Sequence, residues 1–198
     1  MSFISPNSQK PFDQLSYLVT ELKLIVNNRP LHWLTCWFAG STHVIISYRL
    51  DRCGYLLFKK VWSFLRLLLL PYQMFARLMG GNHDIDYRAD IGQGLRILHP
   101  ALGLVISGAT IAGQGLRLTG GNCIGIRLPV KPGDLTLGDY VSFGANAVVL
   151  GPVHIGNNVQ IGAGAVVIHD APDNAVLIGV PATPNVHHNN DEVQGALH

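Results

Sequence analysis

Cysteine is scarce in this chain of 198 residues, which contains only three. Cys36, Cys53 and Cys123 are odd in number, widely spaced and outside any metal-ligand pattern. Disulfide frameworks and zinc sites both need grouped cysteines, so the sequence favours neither. We therefore expect reduced thiols and a cytoplasmic protein.

Charged residues are also few, at 13% of the chain, and they are unevenly distributed. Residues 1–83 hold nine Lys/Arg against three Asp/Glu, a balance of +6, and residues 84–198 hold five against nine, a balance of −4. No lysine or arginine follows Lys131. Because phosphate binding relies on these side chains, we expect no nucleic-acid partner for the second half. The contrast predicts two modules.

The N-terminal part lacks the signals of export and of a membrane span. Its start, "MSFISPNSQKPFDQ", does not show the charged and then apolar order of a signal peptide. Residues 61–81 are the most apolar stretch, but Arg66 and Arg77 would each cost roughly 2.5 to 3.5 kcal/mol near a bilayer centre. We expect one or two buried or interfacial helices there, kinked at Pro71. With "FDQLSYLVTELKLIV" and "GYLLFKKVWSFLRLLLLP", this segment predicts a helical module over residues 1–83.

The second half contains a period of six. Large apolar residues recur at this interval from Leu137 to Val167, and a second apolar series precedes each of them by two positions. Neither a helix of 3.6 residues per turn nor a simple alternation produces this period, whereas a solenoid of short flat faces does. The first series is Leu137, Phe143, Val149, Ile155, Ile161 and Val167, and the second is Leu135, Val141, Ala147, Val153, Val159 and Ala165.

This pattern resembles the hexapeptide-repeat acyltransferases, whose fold is a left-handed parallel β-helix with three hexads in each coil. The resemblance implies a mainly β protein, with the left-handed parallel β-helix over residues 84–183, a short α-helical N-terminal module before it and a tail over 184–198 after it. It also implies a homotrimer or a dimer of trimers.

Two interruptions break the lattice upstream. The phrase "GQGLR" occurs at 92–96 and again at 113–117, and the apolar step from Ile97 to Ile106 is nine instead of six. We expect the two phrases to lie one coil apart, with three residues inserted after His99. The step from Ile124 to Leu137 is thirteen against an expected twelve, and its prolines predict a projecting loop.

His99 and Asp84 are the candidate catalytic residues. His99 lies at a corner where the coil is interrupted, and Asp84 precedes it by nearly one coil. Stacked coils are about 4.8 Å apart, so a carboxylate could orient the imidazole as a general base. A surface histidine, with Asp84 in a corner salt link or helix cap, is the alternative.

A closer resemblance supports the catalytic interpretation. The run "DIDYRADIGQGLRILHPALGLVIS" is similar to the segment of serine acetyltransferases and polysaccharide O-acetyltransferases that carries their Asp-His pair. It implies that Asp84 orients His99, that His99 acts as the base, and that acetyl-CoA donates its acetyl group directly to a hydroxyl. No metal is implied. A zinc hydratase of the γ-carbonic anhydrase type is a weaker alternative, since the coils contain no closely spaced histidine pair.

Departures from the serine enzymes bear on the acceptor. Leu98 stands where they have an aspartate that holds the serine amine, and Gly133 and Asp134 align with their Arg-His pair. We therefore expect a sugar hydroxyl as in exopolysaccharide, capsule or O-antigen biosynthesis, with serine O-acetylation as the alternative and a non-catalytic trimeric scaffold as a further one. The candidate acceptor-binding residues are Arg127, Lys131 and Asp134.

The same resemblance implies that acetyl-CoA lies along small residues at the coil corners, as in "FGANA" and "IGAGA". The stretch "GVPATP" resembles the usual end of the repeat, with Thr183 in place of a basic residue. Small corner residues are also required by the fold alone. The candidate cofactor-binding residues are Gly125, Gly144, Ala145, Gly162, Ala163 and Thr183.

The helical module offers a second hypothesis. Apolar side chains edged by Lys59, Lys60, Arg66 and Arg77 would suit the anionic inner face of a membrane. Ordinary helix packing or oligomerisation is the alternative.

Overall fold

A computed structural model describes residues 10–26, 37–126 and 133–185 of the chain. The two predicted modules can be followed through most of their length, because the described residues are helical before position 81 and form short strands after it. Cys36, Arg127, Lys131 and the tail after residue 185 lie outside the described residues.

The helical module contains two long helices, α1 (Pro11–Val26) and α2 (Gly40–Phe58). A broken segment follows: a 3-10 turn (Lys59–Val61), the short helix α3 (Trp62–Leu65), a second 3-10 turn (Arg66–Leu69) and α4 (Leu70–Gly80). The stretch "GYLLFKKVWSFLRLLLLP", which the sequence predicts to be helical, is therefore divided among several helical pieces. The chain breaks at Lys59, whose φ is +48°, and Pro71 lies in the first turn of α4, where its missing N–H costs nothing.

The strands form three parallel sheets that wind around one core. The first sheet has the order β1-β4-β7-β10-β13, the second β11-β8-β5-β2, and the third β15-β14-β12-β9-β6-β3. Among the described strands, β15 alone runs antiparallel to its neighbour. The bounds are β1 His83–Ile85, β2 Asp90–Ile91, β3 Arg96–Ile97, β4 Leu104–Ile106, β5 Thr110–Ala112, β6 Arg117–Leu118, β7 Asn122–Ile126, β8 Leu135–Leu137, β9 Ser142–Phe143, β10 Val148–Gly151, β11 Val153–Ile155, β12 Gln160–Ile161, β13 Val166–Val167, β14 Val176–Ile178 and β15 Thr183–Asn185.

The six-residue period places its apolar residues in the core, as expected. Every member of both series from Leu135 to Val167 is buried, with at most 4% of its surface exposed. Each short strand turns alternate side chains inward, so two apolar residues per face fill the triangular interior. The prediction of a parallel β-helix preceded by helices is confirmed.

The first interruption is as expected and the second is not. Arg96 pairs with Arg117 across β3 and β6, so the two "GQGLR" phrases lie one coil apart. The three inserted residues form a 3-10 turn at Pro100–Leu102, directly after His99.

The coil that contains the second interruption is longer than expected. In the first sheet Ile124 pairs with Val149 on the next coil, so Leu137 lies on the face that directly follows Ile124. The step of thirteen between Ile124 and Leu137 therefore consists of one regular hexad and a seven-residue insertion. The expectation of two hexads and a single extra residue is wrong, because all three faces of this coil are present and the extra residues lie between the first face and the second.

A buried ion pair joins the helices to the first coil. Arg49 on α2 and Glu21 on α1 are both fully buried, with Nη2 and Oε1 2.5 Å apart. Arg49 also donates to the carbonyl oxygens of Ile91 and Gly92, at 2.8 and 2.7 Å. Glu21 accepts from the backbone N–H of Leu95 at 2.9 Å. This network fixes both helices against the coil that carries the candidate catalytic residues. Over the described ranges, no helix is long and apolar enough to cross a membrane.

Candidate active site

Each coil passes from the third sheet to the first through a connection of three to six residues, and the first two residues of each connection form a corner. Backbone bonds stack these corners: the N–H of His99 donates to Thr119 O at 2.8 Å, and the N–H of Gly144 donates to Ile161 O at 2.7 Å. The strand register therefore aligns one column of corner residues through four coils. The corners are Leu98-His99, Thr119-Gly120, Gly144-Ala145 and Gly162-Ala163.

His99 is the one large polar side chain in this column, and it is exposed. Its backbone has φ −128° and ψ 72°, and the 3-10 turn follows it. Gly120 lies directly against it, and a Cβ on Gly120 would collide with the His99 carbonyl oxygen. The second copy of the repeated phrase thus needs a glycine because the backbone at position 99 lies so close, whichever side chain that position carries. Among the described residues, no hydrogen bond occupies the His99 ring.

Asp84 lies on the first sheet, on the coil that ends at His99. It is exposed on β1 and pairs in register with Val105 on β4. The chain leading into β1 packs against the inserted turn, since a Cβ on Gly81 would be 2.8 Å from the Cα of Ala101. Within the described ranges no hydrogen bond joins the Asp84 and His99 side chains. Their catalytic pairing stays a prediction.

The surroundings of Asp84 contain charged groups that sequence reasoning did not connect with it. Two hollows meet at Asp84, and Arg66 lines both. His83 precedes Asp84, and burial lowers the pKa of His83 although its Nδ1 lies 2.9 Å from the Gly81 carbonyl oxygen. The helical module therefore forms one wall beside the candidate carboxylate.

The third sheet carries a groove that leads to the corner column. It begins beside Thr20 on α1, passes Arg96, Arg117 and Tyr140, and continues past Ser142 to Gly144 and Gly162. Arg96 and Arg117 are exposed and adjacent in register, about 4.8 Å apart along the coil axis. No ion pair to either arginine occurs in the described part of the chain. We missed this pair, although the arginine at the same offset in both copies of "GQGLR" was its signal.

The candidate cofactor residues do not all lie together. Gly144, Ala145, Gly162 and Ala163 share the corner column with His99. Gly125 is on β7 of the first sheet, away from this corner. Thr183 is on β15 of the third sheet and pairs with Ile178, which lies against Gly162 at the end of the column. The coil stacking itself needs Gly144, since a Cβ there would be 2.5 Å from the backbone nitrogen of Ala163.

Asp134 is the one candidate acceptor residue that the structure describes. It directly precedes β8, and its carbonyl oxygen accepts from the N–H of Val153 at 2.8 Å. Its backbone thus belongs to the ladder of the second sheet. No group of three His, Cys, Asp or Glu side chains suited to a metal occurs among the described residues.

A parallel β-helix of six-residue repeats with an exposed imidazole at a corner is the architecture of a hexapeptide-repeat acyltransferase. The family model "Bacterial transferase hexapeptide (six repeats)" matches residues 134–169. A serine acetyltransferase of Helicobacter pylori (strain J99) is 35% identical over 151 residues, which cover 76% of this chain and 84% of the relative. The chain belongs to the serine acetyltransferase family, and the resemblance to the hexapeptide-repeat acyltransferases is confirmed.

Other relatives show the range of this likeness. A serine acetyltransferase of Synechococcus elongatus is 39% identical over 59% of this chain and 48% of its own length. A protein of Escherichia coli K12 named "Putative colanic acid biosynthesis acetyltransferase WcaB" is 34% identical over 60% of this chain and 72% of its own. The solved serine acetyltransferase of Neisseria gonorrhoeae has a TM-score of 0.71 at 29% identity, over 88% of this chain and 66% of that one. The chain spans about half the length of the Synechococcus elongatus relative.

Proposed function

We propose that this chain transfers an acetyl group from acetyl-CoA to the hydroxyl of a small acceptor at the corner that carries His99. The observation that carries the proposal is the single exposed imidazole at the end of a column of small corner residues. The similar proteins support acetyl transfer, since most of them are named serine acetyltransferase.

The chemistry needs one proton acceptor and a place for two substrates. His99 removes the proton of the acceptor hydroxyl, and the oxygen attacks the thioester carbonyl carbon. The tetrahedral intermediate then collapses, the C–S bond breaks, and the CoA sulfur leaves with the proton that His99 returns. No acyl-enzyme forms. Asp84, on the adjacent strand, orients the imidazole once the substrates are bound. The pantetheine arm lies along Gly144, Ala145, Gly162 and Ala163.

L-Serine is the first candidate acceptor, because the comparisons favour it over the sugar that the sequence departures suggested. The sugar stays a second candidate on a specific observation. Leu98 replaces the amine-binding aspartate of the family, and Arg96 and Arg117 lie on the same face two to three residues before the corner. Three residues of strand span about 10 Å. An acceptor with its hydroxyl at His99 could therefore place a phosphate or carboxylate between the two guanidinium groups.

The decisive experiment is an acceptor panel with detection of free CoA. The full chain is incubated with acetyl-CoA and L-serine, neutral sugars or nucleotide sugars, and the acetylated product is identified by mass spectrometry. Turnover with L-serine alone supports the first candidate, and turnover with a nucleotide sugar supports the second. Absence of CoA release with every one of these acceptors would favour a non-catalytic scaffold and contradict the proposal.

Arg117→Gln separates the two acceptors further. For a nucleotide sugar, we expect KM to rise at least about tenfold with little change in kcat, since one charge-assisted hydrogen bond is worth about 1.5–3 kcal/mol. L-Serine with its hydroxyl at His99 is too short to reach Arg117, so its KM should be unchanged. Lys60→Gln is the control, because Lys60 is an exposed cation of the helical module outside the residues that line the groove. Equal effects of the two substitutions would contradict a role of Arg117 at the acceptor.

We also propose that the chain works as a homotrimer, the assembly implied by its repeat family, or as a dimer of trimers. Sedimentation equilibrium of the full chain tests this directly. A monomer at micromolar concentration would contradict it.

A further inference from the structure

The broken segment over residues 57–78 presents an unusual apolar surface. Its large hydrophobic side chains point away from the rest of the protein, and Leu68 and Leu78 are 80% and 81% exposed. Soluble proteins seldom expose contiguous apolar surface of this kind unless it meets a partner. The residues that define this surface, called the apolar face below, are Phe58, Val61, Phe64, Leu68, Met74 and Leu78.

The polar side of the same segment is turned inward. Asp51 on α2 is 4% exposed and accepts a hydrogen bond from Trp62 Nε1 at 2.6 Å, one from Arg66 Nε at 2.8 Å and one from Gln73 Nε2 at 3.2 Å. Trp62 and Ala76 are also buried on this inward side, so the segment has apolar side chains both toward α2 and toward the outside. A helix that is apolar all round is ordinarily buried on every side.

Charge identifies what the apolar face meets. Lys59 and Lys60 are exposed beside it. Arg77 is exposed at its edge, where it also lines the hollow at Asp84, and no acidic residue occurs between Asp51 and Asp84. A second copy of the chain would bring these cations against their own equivalents, and like charges oppose association. An anionic lipid surface supplies both an apolar interior and negative charge.

We propose that the apolar face docks this protein on the surface of an anionic membrane. Phe64, Leu68 and their neighbours enter the region between head groups and acyl chains, and Lys59, Lys60 and Arg77 contact the lipid phosphates. Because α4 ends at Gly80 and β1 begins at His83, docking holds the first coil close to the lipid surface. This proposal does not depend on the acceptor or on catalysis.

Flotation of the full chain with lipid vesicles tests the proposal. We expect strong flotation with phosphatidylcholine vesicles that contain about one-third phosphatidylglycerol, and weak flotation with phosphatidylcholine alone, since each cation near an anionic surface is worth about 1 kcal/mol. For the double variant Phe64→Ser/Leu68→Ser, the fraction of protein bound to the anionic vesicles should be at least about tenfold lower than for the wild type. Its matched control is Phe12→Ser/Val19→Ser, which removes similarly exposed apolar side chains from α1.

Charge reversal gives a second, independent test. Lys59→Glu/Lys60→Glu should reduce binding to the anionic vesicles at least about tenfold, whereas Lys23→Glu on α1 should change it less than about twofold. Circular dichroism confirms that each variant is folded.

Three results would overturn the proposal. The first is no flotation with either vesicle, together with a larger assembly that Phe64→Ser/Leu68→Ser breaks apart, which would assign the apolar face to a second copy. The second is equal binding to neutral and anionic vesicles. The third is an equal loss in the α1 control.

Discussion

Replacement of Arg49 by methionine tests how the helical module is held on the β-helix. Arg49 makes five hydrogen bonds, at 2.5 to 3.0 Å, to Glu21, Gln14 and the carbonyl oxygens of Ile91 and Gly92. Methionine has a comparable length but no charge and no donor. Arg49→Met therefore leaves the fully buried Glu21 carboxylate without its counter-ion.

The expected magnitude follows from that uncompensated charge. Removal of one partner of a buried ion pair costs about 3–5 kcal/mol. For a chain of this size, each kcal/mol lowers Tm by about 2–4 °C, so Tm should fall by about 6–20 °C. The double variant Arg49→Met/Glu21→Leu should recover part of this loss, because neither charge then stays buried alone. Recovery is incomplete, since the N–H groups of Gly94 and Leu95 lose their acceptor.

Urea unfolding followed by circular dichroism measures these free energies. The control is Arg88→Met, which breaks the exposed pair between Arg88 and Asp86 and should cost no more than about 1 kcal/mol. The reasoning is refuted if Arg49→Met costs as little as this control. It is equally refuted if the double variant is as unstable as the sum of its single changes.

Three further predictions concern the corner and the first strand. Gly120→Ala should lower kcat at least about tenfold, because the new Cβ displaces the His99 carbonyl oxygen. Gly179→Ala is the control, since Gly179 also has a positive φ but a Cβ there would be 3.7 Å from its nearest neighbour. Equal kcat values for the two variants in steady-state assays would contradict this prediction. Asp84→Asn should lower kcat about 10- to 100-fold with KM for acetyl-CoA unchanged, and an unaltered kcat would remove Asp84 from the mechanism. Burial lowers the pKa of the His83 imidazole below its usual value of 6.5, so the folded chain binds a proton there less readily than the unfolded chain. The stability that the neutral His83 contributes is therefore fully present above pH 6.5 and is lost as the pH falls through the folded pKa. The free energy of unfolding should thus fall more steeply below about pH 6.5 in the wild type than in His83→Asn, and parallel urea-derived profiles would contradict it.

The core of the β-helix could be predicted because it is determined by a short-range sequence pattern, the six-residue period. A short face fixes which side chains point inward, so the series through Leu137 and Val149 identifies the interior from the period alone. The turn after His99 was also visible, since a step of nine leaves only three residues unassigned. The longer insertion after Ile124 was misjudged because a step of thirteen fits two regular faces almost as well as one face and a loop.

Other features depend on contacts that no local pattern encodes. The break at Lys59 arises where Trp62 and Arg66 turn toward Asp51 on another helix, and the apolar run around it does not predict this break. The buried Arg49 network joins residues that lie far apart along the chain. Whether Asp84 meets His99 depends on side-chain orientation with substrates bound, which spacing restricts but does not determine.

The central claim is that His99 takes the proton of the acceptor, and the most direct measurement is the rate of CoA release by His99→Ala with the acceptor identified from the panel. His169→Ala, which also replaces an exposed histidine of the β-helix, is the control. We predict a fall of about 10² to 10⁴ in kcat for His99→Ala, with an unchanged circular dichroism spectrum, and no fall for the control. A rate for His99→Ala equal to that of the control would contradict the account.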